Sequence, residues 1–523
     1  MLTVVLAWAI VGYALYLIGV LWDLPSISIL AFIFILLSVF SVTLILRAKL
    51  IVALIDEVKR LWNDGILERL LITVAIFQLV LNLIGAASPE LSFDALWYHL
   101  PLPQLYLERG EIWFPRGNLL PSGLPRLAEM WYTLLLSIDR TATMAKFMHL
   151  IFGLLSFALI YSLSRKHITR QIALLVAVDW YTMLSVGWLS TTAYTDLYVV
   201  VFLLLAVRGL VEKEDYRLGG LLFGLASSVK MIFIVPSVLI AFWIFIQKKP
   251  LQTGVKNTLN YTAAVIMVII PWLSISWIKT GDPIYPLLTY QPESVISAPL
   301  SSFLGRLGSF VFAPWQWTFK PDTPISPVYV ALIPVFLICW SRWNKTIKAY
   351  FILAMILLSG VWFFPQFSNR YLLPGLAVLS VPVAVSIYQL QNRFRKITIC
   401  FLVISIGINV FARTLASQKF IPFISGEQSK EEFLASNLDL DFGNYIDRGG
   451  KIAKLVGSNK VLITDIHNLF YVDFPFDHIS WADNPENYRY LLVRKGAKLP
   501  SGYEQTKLVY TDVQSEMELY LNE

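Results

Sequence analysis

Runs of about twenty apolar residues recur along most of the chain and are separated by shorter polar segments. A run of this length with few or no charges matches the roughly 30 Å hydrocarbon core of a bilayer when it forms an α-helix. We therefore predict an all-α polytopic membrane bundle with about thirteen transmembrane helices. The predicted spans cover approximately residues 2–21, 27–46, 70–87, 141–163, 171–189, 194–211, 217–229, 231–246, 257–276, 327–341, 349–364, 371–388 and 397–413.

Two of these spans, 217–229 and 231–246, are short for a complete crossing of the bilayer. Irregular backbone at membrane depth is tolerated only where protein or a water-filled cavity covers it. We therefore expect these two segments to be half-helices that meet inside the protein. The first span, 2–21, has no basic leading segment and no clear cleavage site, so we expect a retained helix rather than a removed signal peptide.

The pattern changes after residue 413, where the apolar runs shorten and charged residues become more frequent. Ser429 is followed three positions later by Glu432, which is typical of a capping box at a helix N-terminus. We predict a transmembrane domain over residues 1–413 and a small soluble α/β domain over residues 414–523. Strand-like segments in the second domain are Lys460–Ile466, Tyr490–Arg494 and Lys507–Thr511.

Two of the loops between predicted spans are long, 88–140 and 277–326. Long loops within a compact domain are usually either functional or disordered. The first loop is rich in aromatic residues and proline, a composition that suits short helices lying in the membrane interface with their rings at headgroup depth. A plain aromatic belt is the alternative interpretation of the same composition.

The composition indicates a membrane protein, because 57% of the 523 residues are hydrophobic and 15% are charged, against about 45–50% and about 25% in soluble domains. The net charge of +7 would suit nucleic acid, but the basic residues cluster in short loops, which is a topology signal. We therefore expect no nucleic-acid partner. We expect a multi-pass protein of the cell (plasma or inner) membrane with a cytoplasmic N-terminus and an external C-terminal domain. The twenty cations that favour this orientation are Arg47, Lys49, Lys59, Arg60, Arg69, Arg165, Lys166, Arg170, Arg208, Lys213, Arg217, Lys248, Lys249, Lys256, Arg342, Lys345, Lys348, Arg393, Arg395 and Lys396.

Ionisable side chains at or within a membrane are costly and therefore mark candidate functional sites. Asp94, Asp196, Lys230 and Arg370 all fall at the external ends of the predicted spans. Two carboxylates and two cations on one face can form an acid–base and anion-binding site. Asp179 lies instead near the middle of the fifth predicted span, where we expect a structural hydrogen bond and no chemical role.

Short motifs that include these four residues are spaced along the chain between about residues 70 and 430. The motifs are Ser92–Pro101 (SFDALWYHLP), Pro125–Met130 (PRLAEM), Ala193–Leu197 (AYTDL), Ser227–Lys230 (SSVK), Thr280–Pro286 (TGDPIYP), Asn369–Pro374 (NRYLLP) and Ile421–Gly426 (IPFISG). In this order they resemble the GT-C glycosyltransferases, and in particular the bacterial and archaeal branch related to protein mannosyltransferases and lipid A aminoarabinose transferases.

The resemblance implies that the protein takes a sugar from a polyprenyl-phosphate donor in the membrane and passes it to an acceptor hydroxyl at the external face. The implied partners are membrane lipid, the polyprenyl-phosphate sugar and an acceptor that is a glycan, a lipid or a protein. The donor is a substrate, and the resemblance implies no further cofactor.

The resemblance makes Asp94 the candidate general base, a role that contributes about 10²–10⁴-fold to a rate. Lys230 and Arg370 become the candidates for binding the donor phosphate, because a departing phosphate needs fixed cations. Arginine binds phosphate bidentately and lysine acts as a point charge. The alternatives are a solvated acid at position 94, a lysine that snorkels to the headgroups and an arginine that anchors the interface.

Asp196 and His99 are possible supporting residues. Asp196 alternatively caps the sixth span, since an acid stabilises a helix N-terminus, and His99 alternatively has its polar atoms satisfied among the loop aromatics. Many relatives carry two adjacent acids in the first loop, whereas Asp94 is followed by Ala95. A metal held by paired carboxylates is therefore unsupported, and we predict no metal site. A single base that acts directly on the hydroxyl implies inversion at the sugar carbon.

Two other functions fit part of the sequence. A lipid or solute transporter would explain Asp179 and the two short spans, although we see no inverted repeat and the charged candidates gather on one face. An inactive protein of GT-C type that serves as an assembly partner would explain the missing second acid.

Overall fold

The structure of the protein is a computed structural model that describes most of the chain. The described residues are 2–47, 49–115, 117–247, 250–286, 305, 307–309, 312–319, 325–363, 368–440, 443–503, 506–512 and 515–522.

Eight helices in the described part of the chain are long enough and apolar enough to cross a membrane, so the protein is an integral membrane protein. They coincide with eight of the predicted spans, and the other five predicted spans form shorter helices. The eight are Leu2–Leu21, Ile27–Arg47, Ile66–Ala87, Thr143–Arg165, Leu251–Thr280, Lys345–Trp362, Asn369–Gln389 and Asn392–Ile424.

We number the helices in chain order, leaving the isolated single turns unnumbered. They are α1 Leu2–Leu21, α2 Ile27–Arg47, α3 Leu50–Asp64, α4 Ile66–Ala87, α5 Pro101–Arg109, α6 Leu127–Leu136, α7 Thr143–Arg165, α8 Arg170–Thr182, α9 Leu184–Leu189, α10 Asp196–Glu212, α11 Tyr216–Val229, α12 Ile234–Gln247, α13 Leu251–Thr280, α14 Ala313–Phe319, α15 Val328–Ala331, α16 Ile333–Cys339, α17 Lys345–Trp362, α18 Leu373–Gln389, α19 Asn392–Ser417, α20 Ile421–Ile424, α21 Lys430–Asn437 and α22 Lys451–Val456.

The shorter helices α8 and α10 form the centre of the bundle. Nearly every residue of both is buried, and α10 is buried continuously from Asp196 to Val207. A helix that is apolar all round is buried all round, which explains why both sequences read as membrane spans. The predicted span 171–189 is divided at Met183, where the backbone leaves the helical region between α8 and α9.

The two predicted half-helices are separate helices that meet at Lys230. Helix α11 ends at Val229, Lys230 is extended, and a single turn leads into α12. Helix α11 lies close against α13, because a Cβ at Gly220 or Gly224 would come within 3.0 Å of α13 atoms. Small residues at this spacing allow such an approach, and the packing fixes the position at which Lys230 leaves the helix.

The first long loop contains short helices, as predicted, but several of its rings are not at headgroup depth. Trp131 and Tyr132 lie on α6 and are fully buried, and the Trp131 indole donates a 2.7 Å hydrogen bond to the Trp8 carbonyl of α1. Tyr106 on α5 is also fully buried. Helix α6 packs against α1 and α7, so these aromatic residues form protein core rather than an interface belt.

The second long loop, 277–326, lies largely outside the described residues. Within its described parts, α13 continues to Thr280 and α14 covers Ala313–Phe319.

The C-terminal region contains a five-stranded mixed sheet, which confirms a small α/β unit after the bundle. The strands are β1 Val461–Ile463, β2 Phe476–His478, β3 Tyr490–Arg494, β4 Thr506–Asp512 and β5 Met517–Asn522, in the order β2-β1-β3-β5-β4. Strand β1 pairs in parallel with β2 and β3, and β5 pairs antiparallel with β3 and β4. The Ser429–Glu432 capping box is present at the start of α21. The predicted domain boundary at residue 413 falls within α19.

Candidate active site

Four chain segments that are distant in sequence deliver the predicted site residues to one end of the bundle. Asp94 follows α4, Asp196 is the first residue of α10, Lys230 follows α11 and Arg370 lies in the single turn before α18. Helix α10 has 17 residues, so the opposite end of the bundle, where Glu212 pairs with Lys166, is about 25 Å away along the helix.

The four side chains form a continuous chain of ion pairs. Arg370 pairs with Asp94 through Nη2 and Oδ2, and its Nε lies 3.9 Å from Oδ1 of Asp196. Lys230 donates from Nζ to the same Oδ1 at 2.6 Å. The exposed fractions of the side chains are 16% for Asp94, 12% for Arg370, 9% for Lys230 and 2% for Asp196. Two positive and two negative charges balance, which is what allows this group to be buried.

Two tyrosine rings hold the cations in place. The Arg370 guanidinium lies 4.6 Å from the centre of the Tyr194 ring, and the Lys230 ammonium lies 4.8 Å from the centre of the Tyr371 ring. Cation–π contacts of this kind strengthen when they are desolvated. The Tyr194 hydroxyl also accepts a 3.2 Å hydrogen bond from the Asp94 backbone N–H, so one side chain orients both partners of the Asp94–Arg370 pair.

A third tyrosine keeps its proton beside Asp94. Burial raises the pKa of Tyr98 well above its ordinary value, and the negative charge of Asp94 raises it further. The Tyr98 phenol therefore stays neutral beside Asp94 at physiological pH.

Asp196 is an ion-pair partner of both cations, and it also lies in the first turn of α10, where an acid stabilises a helix N-terminus. The preceding Thr195 makes no side-chain capping bond. His149 of α7 holds this helix end instead, since its Nε2 accepts the Leu197 N–H at 3.0 Å and its Nδ1 lies 2.8 Å from the Leu189 carbonyl. This hydrogen-bond pattern assigns a neutral imidazole with the proton on Nδ1.

A buried carboxylate that we did not single out from the sequence, Glu90, connects the segments that carry Asp94 and Asp196. Its Oε1 accepts the backbone N–H groups of Leu91 and Ser92, both at 2.9 Å, and its Oε2 accepts the Ala193 N–H at 2.7 Å. Hydrogen bonds to an ionised acceptor are short and strong. Glu90 therefore fixes the distance between the two aspartates, although nothing in its sequence context marked it.

His99 pairs with Glu129 rather than with Asp94. The His99 Nδ1 lies 2.6 Å from Glu129 Oε1, and both side chains are buried. The His99 ring packs edge-on against the Tyr194 ring, with 5.7 Å between the ring centres. His99 therefore contacts the site through Tyr194 and not through Asp94. Glu129 belongs to the PRLAEM motif, which carried the resemblance without assigning this glutamate a role.

The C-terminal domain also reaches the site. The His467 ring stacks on Phe93 at 5.1 Å and lies 4.6 Å from Trp97. Burial lowers the pKa of His467 below its ordinary value, and the nearby Asp94 carboxylate opposes that shift only in part. No signal in the sequence identified this histidine, because the contact depends on how the domain docks.

The described residues contain no group of three or more His, Cys, Asp or Glu side chains arranged to hold a metal ion. The carboxylates of Asp94 and Asp196 are paired with the side chains of Lys230 and Arg370. Asp179 is buried in α8, and both of its carboxylate oxygens lie 3.4 Å from the Ser326 hydroxyl, in agreement with the structural hydrogen bond expected there.

Together these features define a class of protein, a polytopic helical membrane bundle with a charge-balanced site at one end and a small α/β domain docked beside that site. Solved structures of this fold include that of ArnT from Cupriavidus metallidurans in the apo state, with a TM-score of 0.56 at 12% sequence identity over 87% of this chain and 97% of that chain. The same protein bound to undecaprenyl phosphate has a TM-score of 0.55 at 13% identity, with the same coverage.

ArnT is a lipid A aminoarabinose transferase and a GT-C glycosyltransferase. The fold implied by the motifs is therefore confirmed by structural similarity. No family model matches the chain, and no curated protein matches it in sequence.

Proposed function

We propose that this protein is a membrane glycosyltransferase that moves a sugar from a polyprenyl-phosphate donor to an acceptor hydroxyl at the external face. The observation that carries the proposal is the ion-pair chain Asp94–Arg370–Asp196–Lys230, which combines a candidate base with two cations. The similarity in fold to ArnT, of which one structure is bound to undecaprenyl phosphate, supports a lipid-linked donor.

In this proposal Arg370 can exchange the Asp94 carboxylate for the phosphate of the donor. In the structure Asp94 and Arg370 neutralise each other. A donor phosphate would compete for the guanidinium, which binds phosphate and carboxylate with the same bidentate geometry. Binding of the donor would then free a carboxylate oxygen of Asp94 to accept a proton, so that the base becomes available only when the donor is present.

In the proposed reaction Asp94 takes the proton of the acceptor hydroxyl while that oxygen forms a bond to the anomeric carbon of the sugar. The bond between this carbon and the phosphate oxygen breaks, and its electron pair leaves with the polyprenyl phosphate. Lys230 and Arg370 stabilise the charge that develops on the phosphate. A single displacement of this kind inverts the configuration, and neither a metal ion nor a cofactor is needed in addition to the activated donor.

The orientation in the membrane is part of the proposal. The site lies at the end of α10 remote from Glu212 and its cationic partners Lys166 and Arg208. Because basic loops are retained in the cytoplasm, the charged site and the C-terminal domain would face outward from the plasma or inner membrane, with the N-terminus inside. The acceptor is a glycan, a lipid or a protein that presents a hydroxyl at this face.

The test is reconstitution of the purified chain in vesicles with a panel of polyprenyl-phosphate sugars, scored for release of the polyprenyl phosphate and for transfer. Asp94→Asn should retain donor binding and the folded state while the rate falls by about 10²–10⁴-fold. Glu111→Gln is the matched control, because Glu111 is an exposed acid in the same loop. Unchanged turnover in Asp94→Asn would remove Asp94 from the mechanism.

The other two functions give different results in the same experiment. A transporter would move labelled lipid across the vesicle membrane without breaking the bond between sugar and phosphate. An inactive assembly partner would neither release polyprenyl phosphate nor respond to the Asp94→Asn substitution.

A further inference from the structure

A second concave surface lies between the C-terminal domain and the first long loop, away from the ion-pair site. It is a cavity of about 1030 Å³ whose lining includes Arg109 and Trp113 from the loop and Asp477, Trp481 and Tyr488 from the domain. None of the four ion-pair residues lines it. Ligand sites commonly have volumes of about 300–1,000 Å³ and lie where two domains meet, so this cavity has the size and position of a binding site for a ligand larger than one sugar ring.

The carboxylate of Asp477, which lines this cavity, is held by four neighbouring side chains. Its Oδ1 accepts from Arg109 at 3.0 Å and from the Trp481 indole at 3.2 Å. Its Oδ2 accepts from the Tyr488 hydroxyl at 2.6 Å and pairs with Lys460 at 2.9 Å. Burial opposes ionisation of Asp477, but the bonds from Lys460, Tyr488 and Trp481, with the charge of Lys460, more than offset it and hold the pKa of Asp477 below its ordinary value.

The walls of the cavity are aromatic. The rings of Trp113 and Trp481 are 5.9 Å apart and nearly perpendicular, and the Arg109 guanidinium lies 3.5 Å from the centre of the Trp113 ring. The Trp113 indole nitrogen is buried and has no hydrogen-bond partner among the described residues. A buried indole N–H normally has an acceptor, so this one is an unsatisfied polar group in a residue that lines the cavity.

This combination of groups favours one chemical class. A sugar ring has an apolar face of C–H groups that packs on an indole, and a rim of hydroxyls that both donate and accept hydrogen bonds. Large apolar ligands would leave the exposed amides of Asn484 and Asn487 unpaired, and unpaired polar groups cost free energy. A strongly anionic ligand is not favoured either, because Arg109 and Lys460 are already neutralised in part by Asp477.

We propose that this cavity binds a saccharide chain, and that the chain is the glycan part of the acceptor. The assignment to the acceptor rests on the function proposed above, whereas saccharide binding itself does not. A series of directly contacting residues connects this cavity to the ion-pair site. Ser480 of the cavity accepts from the Asn118 N–H at 3.0 Å, and Asn118 donates to the carbonyl of His467, whose ring stacks on Phe93 beside Asp94.

The experiment measures binding of three neutral saccharides, chitotetraose, maltotetraose and xylotetraose, to the full chain in detergent by isothermal titration. We expect at least one of the three to bind, and Trp481→Ala to weaken that binding at least tenfold. Asn487→Trp fills the cavity from an exposed lining position and should have the same effect while leaving the buried contacts intact. Trp22→Ala is the control, because Trp22 is 70% exposed in the connection between α1 and α2.

Absence of binding by all three saccharides, or wild-type affinity in both Trp481→Ala and Asn487→Trp, would overturn the proposal. Asp94→Asn should bind the saccharide as wild type does. The protein could also bind a saccharide in the cavity and yet transfer no sugar from any donor of the panel. That result would refute the glycosyltransferase function but support the saccharide site.

Discussion

Lys230 and Arg370 converge on a single atom, the Oδ1 oxygen of Asp196, at 2.6 Å from the lysine Nζ and 3.9 Å from the arginine Nε. Two cations this close would repel each other in a buried site, and the shared carboxylate removes most of that repulsion. Asp196 is thus a positioning residue that sets the spacing of the two cations. The same arrangement leaves Arg370 free to bind Asp94 or a phosphate with its other nitrogens.

Arg370→Lys tests whether the geometry of the guanidinium matters beyond its charge. A lysine is a point charge and cannot reach Asp94 and Asp196 at once, whereas the arginine does. We expect kcat/KM for the donor to fall at least tenfold, which corresponds to about 1.4 kcal/mol. Steady-state kinetics in vesicles provide the measurement.

Arg140→Lys is the matched control, because Arg140 is an exposed arginine in the same long loop as Asp94. A rate for Arg370→Lys equal to that of the control would show that a single positive charge is enough.

Glu90→Gln tests the connection between the Asp94 and Asp196 segments. The substitution replaces one carboxylate oxygen by an NH₂ group, which cannot accept a hydrogen bond. Either the N–H groups of Leu91 and Ser92 or that of Ala193 then lose their acceptor. A hydrogen bond to a charged acceptor contributes about 1.5–3 kcal/mol, so we expect a loss of stability of that order. Thermal unfolding should show this loss, together with a lower kcat because both aspartates shift.

The control for Glu90→Gln is Glu108→Gln, an exposed glutamate on α5 whose carboxylate accepts from Gln104. If Glu90→Gln loses stability but keeps the wild-type kcat, Glu90 is a structural residue with no influence on the site.

The sequence predicted the bundle because membrane helices carry a strong local signal, and it predicted the Ser429–Glu432 cap for the same reason. The sequence did not distinguish spans that face lipid from helices that are buried in protein. Helix α10 is apolar on every face, and such a pattern is expected in both environments. Strand β2, Phe476–His478, was missed because only one of its three residues is apolar, whereas β1 has the same length but is apolar throughout. Strand β5, Met517–Asn522, was also not predicted.

The site was predictable where the functional residue was a charge in a membrane segment, as with Lys230 and Arg370. Contacts made by docking were not predictable. The segment that carries His467 is docked beside the Asp94 loop in part by the backbone N–H groups of Leu469 and Phe470, which donate to the Leu96 carbonyl at 3.0 and 3.3 Å. A hydrogen bond between two backbones leaves no trace in either sequence.

Gly117→Ala tests the docking of the first loop on the C-terminal domain. Gly117 has φ of 64°, and a Cβ there would lie 2.1 Å from the Ser480 Cβ. We expect the alanine to loosen the contact between Asn118 and Ser480 and to increase hydrogen exchange in β2. A residue with positive φ also has a local conformational cost of about 1 kcal/mol, so that cost must be measured separately.

Gly110→Ala supplies that measurement, because Gly110 has φ of 76° and open space where a Cβ would stand. Equal effects from the two substitutions would show that backbone strain alone is responsible. Adding Ser480→Gly to Gly117→Ala removes the closest atoms and should restore much of the protection in β2.

His478 makes the stability of the C-terminal domain sensitive to pH. Burial, together with the charge of the neighbouring His467, lowers its pKa from 6.5 to about 4. In the pH window between these two values the unfolded chain binds a proton that the folded domain does not. Stability is therefore complete above pH 6.5 and is lost as the pH falls toward 4, by at most about 3 kcal/mol.

His478→Asn should remove this dependence, because an asparagine oxygen can still accept the Ser480 N–H that Nδ1 accepts at 3.1 Å. Asp473 acts in the opposite direction, since burial raises its pKa to about 6 and protonation then favours the folded state as the pH falls. The informative quantity is the difference between wild type and His478→Asn, in which the contribution of Asp473 cancels. Hydrogen-exchange protection of β1–β3 at pH 7 and pH 5, referenced to α7 of the same chain, measures it. A wild-type loss of protection that persists unchanged in His478→Asn would mean that another group titrates in this window.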